Sequence, residues 1–145
     1  MDAHNFSRQA TLGAQRRCGE VYFWETENVI GRDKRTKFHV FICPQDQDEA
    51  HTFLFINTAE WYRDYKILKQ NYNFLSHDSV VCCNKPVFYT TERLTRAKPK
   101  LVGQLSQADL KGVRDAIIAA GTMPYRYQVR VCTALAALLC SPVAA

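Results

Sequence analysis

The sequence predicts a mainly β protein with some α: a small β-barrel of five to six strands capped by a C-terminal amphipathic helix. Three observations predict it. Short runs dense in β-branched and aromatic residues recur between polar or proline-marked breaks. These runs are too short for ordinary helices, and several short strands in succession suit a small barrel. One later stretch then changes to a helical period and carries its own start and stop signals.

Taken in order, residues 1–18 are polar and aperiodic and read as a flexible arm. Gly19 opens the strand Glu20-Val21-Tyr22-Phe23-Trp24, and the polar stretch 25–37, with Gly31 inside it, reads as a long loop. The run 38–43 is a strand stopped by Pro44. An acidic, Gln-rich turn at 45–49 leads into a buried strand over 52–58, then a helical turn at 59–62 and a strand at 65–68. The strand 79–83 continues through 86–89 past a bend at Pro86, because proline has no N–H to give a ladder, and 99–105 is a last short strand.

Ser106 then has the chemistry of an N-cap, with Asp109 three residues on standing in for the Glu or Gln of a capping box. Leu110, Val113 and Ile117 recur at helical spacing with Lys111, Arg114 and Asp115 between them, and Gly121 and Pro124 close the run. This predicts a helix over 107–120. A second, Ala- and Leu-rich helix is predicted over 131–139. The chain divides into an arm, 1–18, a barrel domain, 19–121, and a helical extension, 122–145.

A length of 145 residues fits one domain, and 47% hydrophobic against 23% charged residues excludes a long disordered region. The net charge of +5 permits a polyanionic partner without requiring one. Its placement says more. Arg32, Lys34, Arg35 and Lys37 are opposed locally only by Asp33, and Arg93, Arg96, Lys98 and Lys100 only by Glu92. Either run alone is an ordinary solvated loop; together they lean towards phosphate contacts. The six cysteines form no CxxC pair and read as buried free thiols, and on a strand Cys82 and Cys83 would point to opposite faces, which argues against a zinc site. Arg8, Arg16 and Arg17 are not followed by the apolar run of a signal peptide, and the apolar stretch 132–140 is about half a membrane span. The expectation is a soluble, cytoplasmic protein with no metal, no cofactor and no membrane association.

Three stretches in order resemble the MazF/PemK toxin family: Gly19-Glu20-Val21-Tyr22-Phe23; the loop 31–37 running into Val40-Phe41-Ile42-Cys43; and Ser79-Val80-Val81-Cys82-Cys83-Asn84, then Leu94, then 100–106 with the helix 108–117. The likeness spans residues 19–120. It implies an SH3-like barrel related in fold to CcdB, and a metal-independent endoribonuclease toxin of a type II toxin-antitoxin system. It further implies single-stranded RNA as substrate, a cognate antitoxin protein as partner, and a homodimer. Two departures stand out. Lys37-Phe38-His39 replaces the family's Arg-Pro before the second strand, and Asn84-Lys85 replaces Asp-Gln after the later one.

Metal-free RNA cleavage by the 2′-hydroxyl needs a proton acceptor, a proton donor and a cation near the phosphorane. The resemblance places the family's catalytic Arg and Thr/Ser at Lys37 and Thr58. Arg35 is the alternative cation if the loop carries an insertion. His39 could move the proton that Lys37 holds too tightly, or, if the strand is slipped by one residue, lie in the core. Asn57, beside Thr58, could bond a phosphate oxygen, and both could equally be strand-end turn residues. Arg32 and Lys34 are candidate phosphate contacts, and Asn84 and Lys85 take the family's RNA-reading position. Trp61 leads a group with Tyr62 and Tyr65 expected to be exposed for base stacking or for a protein partner. His51 and His77 read as surface residues. The Lys37 departure leaves a second reading open: a non-catalytic MazF/CcdB-like binding module or protein inhibitor.

Overall fold

The computed structural model describes residues 16–26, 35–58 and 63–140. The helical turn expected at 59–62 and most of the arm lie outside them. Seven strands form among these residues: β1 Glu20–Thr26, β2 Arg35–Cys43, β3 His51–Asn57, β4 Tyr65–Ile67, β5 Ser79–Val81, β6 Val87–Tyr89 and β7 Lys100–Gln104. Three α-helices accompany them: α1 Thr91–Ala97, α2 Gln107–Ala120 and α3 Tyr125–Cys140. All strand pairs are antiparallel, and the sheet curls into a half-barrel in the order β4-β5-β3-β2-β1-β7, with β6 also on β3. The strand count exceeds the expected five to six because Pro86 separates two strands instead of bending one. β5 pairs with Ile56 and Asn57 at the end of β3, and β6 with His51 to Phe53 at its start.

Side chains from the β4–β5 connection bridge the gap between the edge strands β4 and β7. The Phe74 ring lies against Gly103 of β7, where a Cβ would come within 2.7 Å of it. The Tyr72 hydroxyl accepts the Ser106 N–H at 3.0 Å just past β7. Strand alternation then sorts the core. The inner face carries Val21, Val40, Ile42, Leu54, Ile56 and Val81 against Leu110, Val113 and Ile117 of α2 and Val131 and Leu135 of α3. The outer face carries Tyr22, Trp24, Phe41, Phe53 and Tyr89, covered by Leu94 of α1.

Helix α2 has the boundaries its period and caps predict. Ser106 Oγ accepts the Asp109 N–H at 3.1 Å, and Gly121, at φ 63°, ends the helix in the left-handed region with its N–H on the Ile117 carbonyl. The capping box is completed differently from expectation. The Asp109 carboxylate takes the hydroxyls of Tyr65, at 2.8 Å, and Tyr72, while Tyr72 itself receives the Ser106 N–H. Helix α3 begins earlier than residue 131 because the Pro124 carbonyl receives the N–H groups of Tyr127 and Gln128, both at 2.9 Å. Arg130 then fastens α3 to the β2–β3 connection, donating to Thr52 Oγ1 at 2.8 Å, Asp46 Oδ2 at 2.6 Å and the carbonyls of Pro44 and Ala50.

Three further expectations change. β2 starts at Arg35, so residues 35–37 belong to a strand. Helix α1 was not predicted: Thr90 caps it by accepting the Arg93 N–H at 3.2 Å, and its one buried residue, Leu94, leaves no period to read. Where the arm meets the barrel, Arg16 is buried over the Tyr22 ring, its guanidinium 4.9 Å from the centroid. Among the described residues, no helix is long and apolar enough to cross a membrane, and no three His, Cys, Asp or Glu side chains cluster as metal ligands would. All six cysteines are free, but only Cys82 and Cys83 are buried.

Seating α2 in the curl requires Gly112, because a Cβ there would lie 2.2 Å from the Tyr65 ring. The substitution Gly112→Ala would gain helix propensity yet overpack this contact, which costs about 1–3 kcal/mol. The expected outcome is a lower urea midpoint with an unchanged slope; a midpoint at or above that of the parent protein would show that Tyr65 can move aside.

Candidate functional site

Lys37 lies near the start of β2 and Asn57 ends β3, and the pairing of Phe38 with Ile56 sets the two side by side. The Lys37 ammonium donates to Asn57 Oδ1 at 3.3 Å and stands 4.4 Å from the centroid of the Phe55 ring. Thr58 follows and is exposed. Lys37, Asn57 and Thr58 therefore gather at one end of the sheet. Arg35 opens β2 opposite Thr26, two residues before Lys37, and its side chain lies outside what is described. Arg32, Lys34 and Trp61 also fall outside the described residues.

His39 shares the strand face of Lys37, as alternation predicts, but that face is covered at this point. The imidazole is 0% exposed, stacked on Trp24 with centroids 3.5 Å apart and planes 6° from parallel. Its Nδ1 lies 3.0 Å from the Lys37 carbonyl, so Nδ1 carries the hydrogen and donates. Nε2, 3.3 Å from the Tyr89 hydroxyl, then accepts. Burial pushes the His39 pKa down to about 3, and both ring nitrogens are engaged. His39 is a core residue that holds the backbone of Lys37 in place, and the proton-shuttle role expected of it does not fit this position.

The other expected contacts divide. Asn84 is tied into the structure instead of presented to a groove: its amide nitrogen donates to Asp64 Oδ1 at 3.0 Å and its amide oxygen accepts from the Thr122 hydroxyl. The buried Asp64 also accepts the Cys83 N–H at 3.0 Å. Lys85 is exposed beside Asn84. Tyr65, expected to be exposed, is half-buried with its hydroxyl on Asp109, and burial raises its pKa to about 12. His51 is buried, not a surface residue, with Nδ1 accepting the Gln45 N–H at 3.1 Å and Nε2 donating to Thr91 Oγ1 at 2.8 Å. His77 is exposed in the connection entering β5, whose Val80 pairs with Asn57, so it stands at the Thr58 end of the sheet.

Phe55 is the site residue that sequence reasoning missed. The signal was the alternation Phe53, Phe55 on β3, which places Phe55 on the face that Lys37 shares across the ladder. A half-buried cation against a ring, next to an amide and a free hydroxyl, is an arrangement suited to a phosphate oxygen.

No protein-family model matches the chain, and no curated protein matches it. The likeness to MazF/PemK toxins accordingly rests on the motifs between residues 19 and 120 alone.

The neutral His39 makes stability depend on acid. Unfolded, the imidazole titrates near 6.5; folded, near 3, so below about pH 6.5 the unfolded state binds one more proton and stability falls with pH. The slope from this group is about 1.4 kcal/mol per pH unit between those values, because the ring is fully buried. Urea titrations of the parent protein and of His39→Phe between pH 7 and pH 4 should show the variant losing less stability by that slope; parallel curves would mean that His39 titrates freely.

Proposed function

We propose that the chain is a metal-independent endoribonuclease of the MazF/PemK kind, a toxin acting on single-stranded RNA. The observation that carries this reading is the Lys37 ammonium fixed beside Asn57 and the exposed Thr58 at one end of a curled sheet. In the reaction the 2′-hydroxyl loses its proton and its oxygen bonds to the adjacent phosphorus. The bond from phosphorus to the 5′-oxygen breaks, and that oxygen takes up a proton, leaving a 2′,3′-cyclic phosphate and a 5′-hydroxyl. Lys37 stabilises the charge gathering on the phosphorane, and the Asn57 amide and Thr58 hydroxyl orient it. His39 and His51 have both ring nitrogens engaged, which leaves His77 as the exposed imidazole among the described residues that could carry a proton to or from the RNA. The same reading takes a cognate antitoxin protein as the chain's inhibitor, a homodimer as its working form and the cytoplasm as its compartment.

One observation favours the second reading, a binding module that does not cut. The imidazole nearest Lys37 in the sequence is locked in the core, so the patch can hold a phosphate without turning over.

Incubating end-labelled single-stranded RNA with the protein in EDTA separates the two. Cleavage is expected, with cyclic phosphate ends. Lys37→Ala should slow it about 10²–10³-fold and Lys37→Arg much less. His77→Ala should slow it as well. Intact RNA alongside growth arrest on expression would defeat the nuclease and leave the binding module.

A further inference from the structure

We propose that α1 and the residue that ends it form a second phosphate-contact surface for single-stranded RNA, made by Arg93, Arg96 and Lys98. The proposal rests on the reading of the chain as an RNA-binding protein and extends the patch at Lys37 onto a new element. Leu94 pins α1 to Tyr22, Trp24, Phe41, Phe53 and Tyr89, so the helix presents its other faces to solvent from a fixed position. Arg93, Arg96 and Lys98 are all exposed there, and among the described residues none of them pairs with a carboxylate. The Arg93 guanidinium lies 5.1 Å from the centroid of the Tyr89 ring, which orients it without neutralising it.

Lys98 supplies an independent sign. It ends α1 in the left-handed region, at φ 52° and ψ 61°, a position that glycine fills without strain. A long cation in that place carries a backbone cost that a glycine would avoid, as residues held for binding often do. The surface also joins the first patch. Trp24, in the cluster that Leu94 of α1 covers, is paired across the ladder with Lys37, and Tyr89, which lies under Arg93, reaches His39 two residues from Lys37, so both groups of cations flank the outer face. A single strand bound at Lys37 would continue along the exposed side of α1. Fixed, unpaired cations on a rigid face suit a regularly charged backbone, and the dependence of binding on salt counts them.

The test is fluorescence anisotropy with a labelled single-stranded RNA 12-mer, using the full chain with Lys37→Ala so that the probe stays whole, across a salt series in EDTA. Removing three phosphate contacts with Arg93→Gln, Arg96→Gln and Lys98→Gly should reduce the slope of log K against log salt by about 2. Removing as many charges at Lys69, Lys111 and Arg126 should leave it unchanged. Lys98→Gly alone should raise Tm by about 3 °C while weakening RNA binding, which a merely structural residue would not do. An unchanged slope in the triple variant overturns the proposal, and Lys37-dependent cleavage would still stand. Binding that depends on α1 without any cleavage by the parent protein upholds the proposal and removes the nuclease. If polyglutamate binds through α1 and RNA does not, the surface is for an acidic protein and the proposal fails.

Discussion

The fold depends on how Asp109 is satisfied. A carboxylate in the first turn of α2 is favoured by the helix dipole, and here it also accepts the hydroxyls of Tyr65, from β4, and Tyr72, from the connection that closes the gap in the curl. Hydrogen bonds to an ionised acceptor are stronger than neutral ones, and burial raises the pKa of both tyrosines, so they remain donors at any ordinary pH. One side chain therefore sets the helix against the edge strand and the bridging segment together. It adds to the register that Leu110, Val113 and Ile117 take up in the inner core. Gly112 belongs to the same contact, since the Tyr65 ring reaches Asp109 by lying where a side chain at 112 would stand.

The sheet is buried on both faces, and the outer face decides what Lys37 can do. Trp24, Phe53, Phe55 and Tyr89 surround His39, which stays neutral because an imidazolium there would lose its hydration without gaining a counter-ion. Its Nδ1 hydrogen is used on the Lys37 carbonyl. The core thus reaches the edge of the patch and fixes the strand that carries the cation.

Legibility in the sequence followed how local each cause was. Helix α2 was readable to the residue because its caps and its apolar spacing lie within its own span, and the strands read at 38–43 and 79–83 exist but with other ends, β2 starting at Arg35 and β5 stopping at Val81. Alternation correctly gave Lys37 and His39 one face. It could not say that the face is covered over His39, because that depends on which rings the ladder sets beside it, Trp24 and Phe55 from neighbouring strands and Tyr89 from fifty residues later. Separation in sequence also hid the fate of Asn84, whose partners Asp64 and Thr122 are 20 and 38 positions away. Helix α1, with one buried residue, has no pattern to detect, and the start of α3 depends on Pro124 opening a helix after closing another.

The contact between Lys37 and Asn57 bears on what the patch costs to use. A free surface lysine loses about 2 kcal/mol of side-chain freedom when a ligand fixes it. Lys37 is half-buried, directed by Asn57 and by the Phe55 ring, and its backbone is held by His39, so part of that loss has already occurred on folding. On the proposed reading, an arriving phosphate oxygen would replace the neutral amide oxygen as acceptor, exchanging an ordinary hydrogen bond for a charge-assisted one. The gain is therefore concentrated on an anion at one position. A cation engaged in this way would favour a negatively charged ligand over a neutral one, whether a bound phosphate were then cleaved or only held.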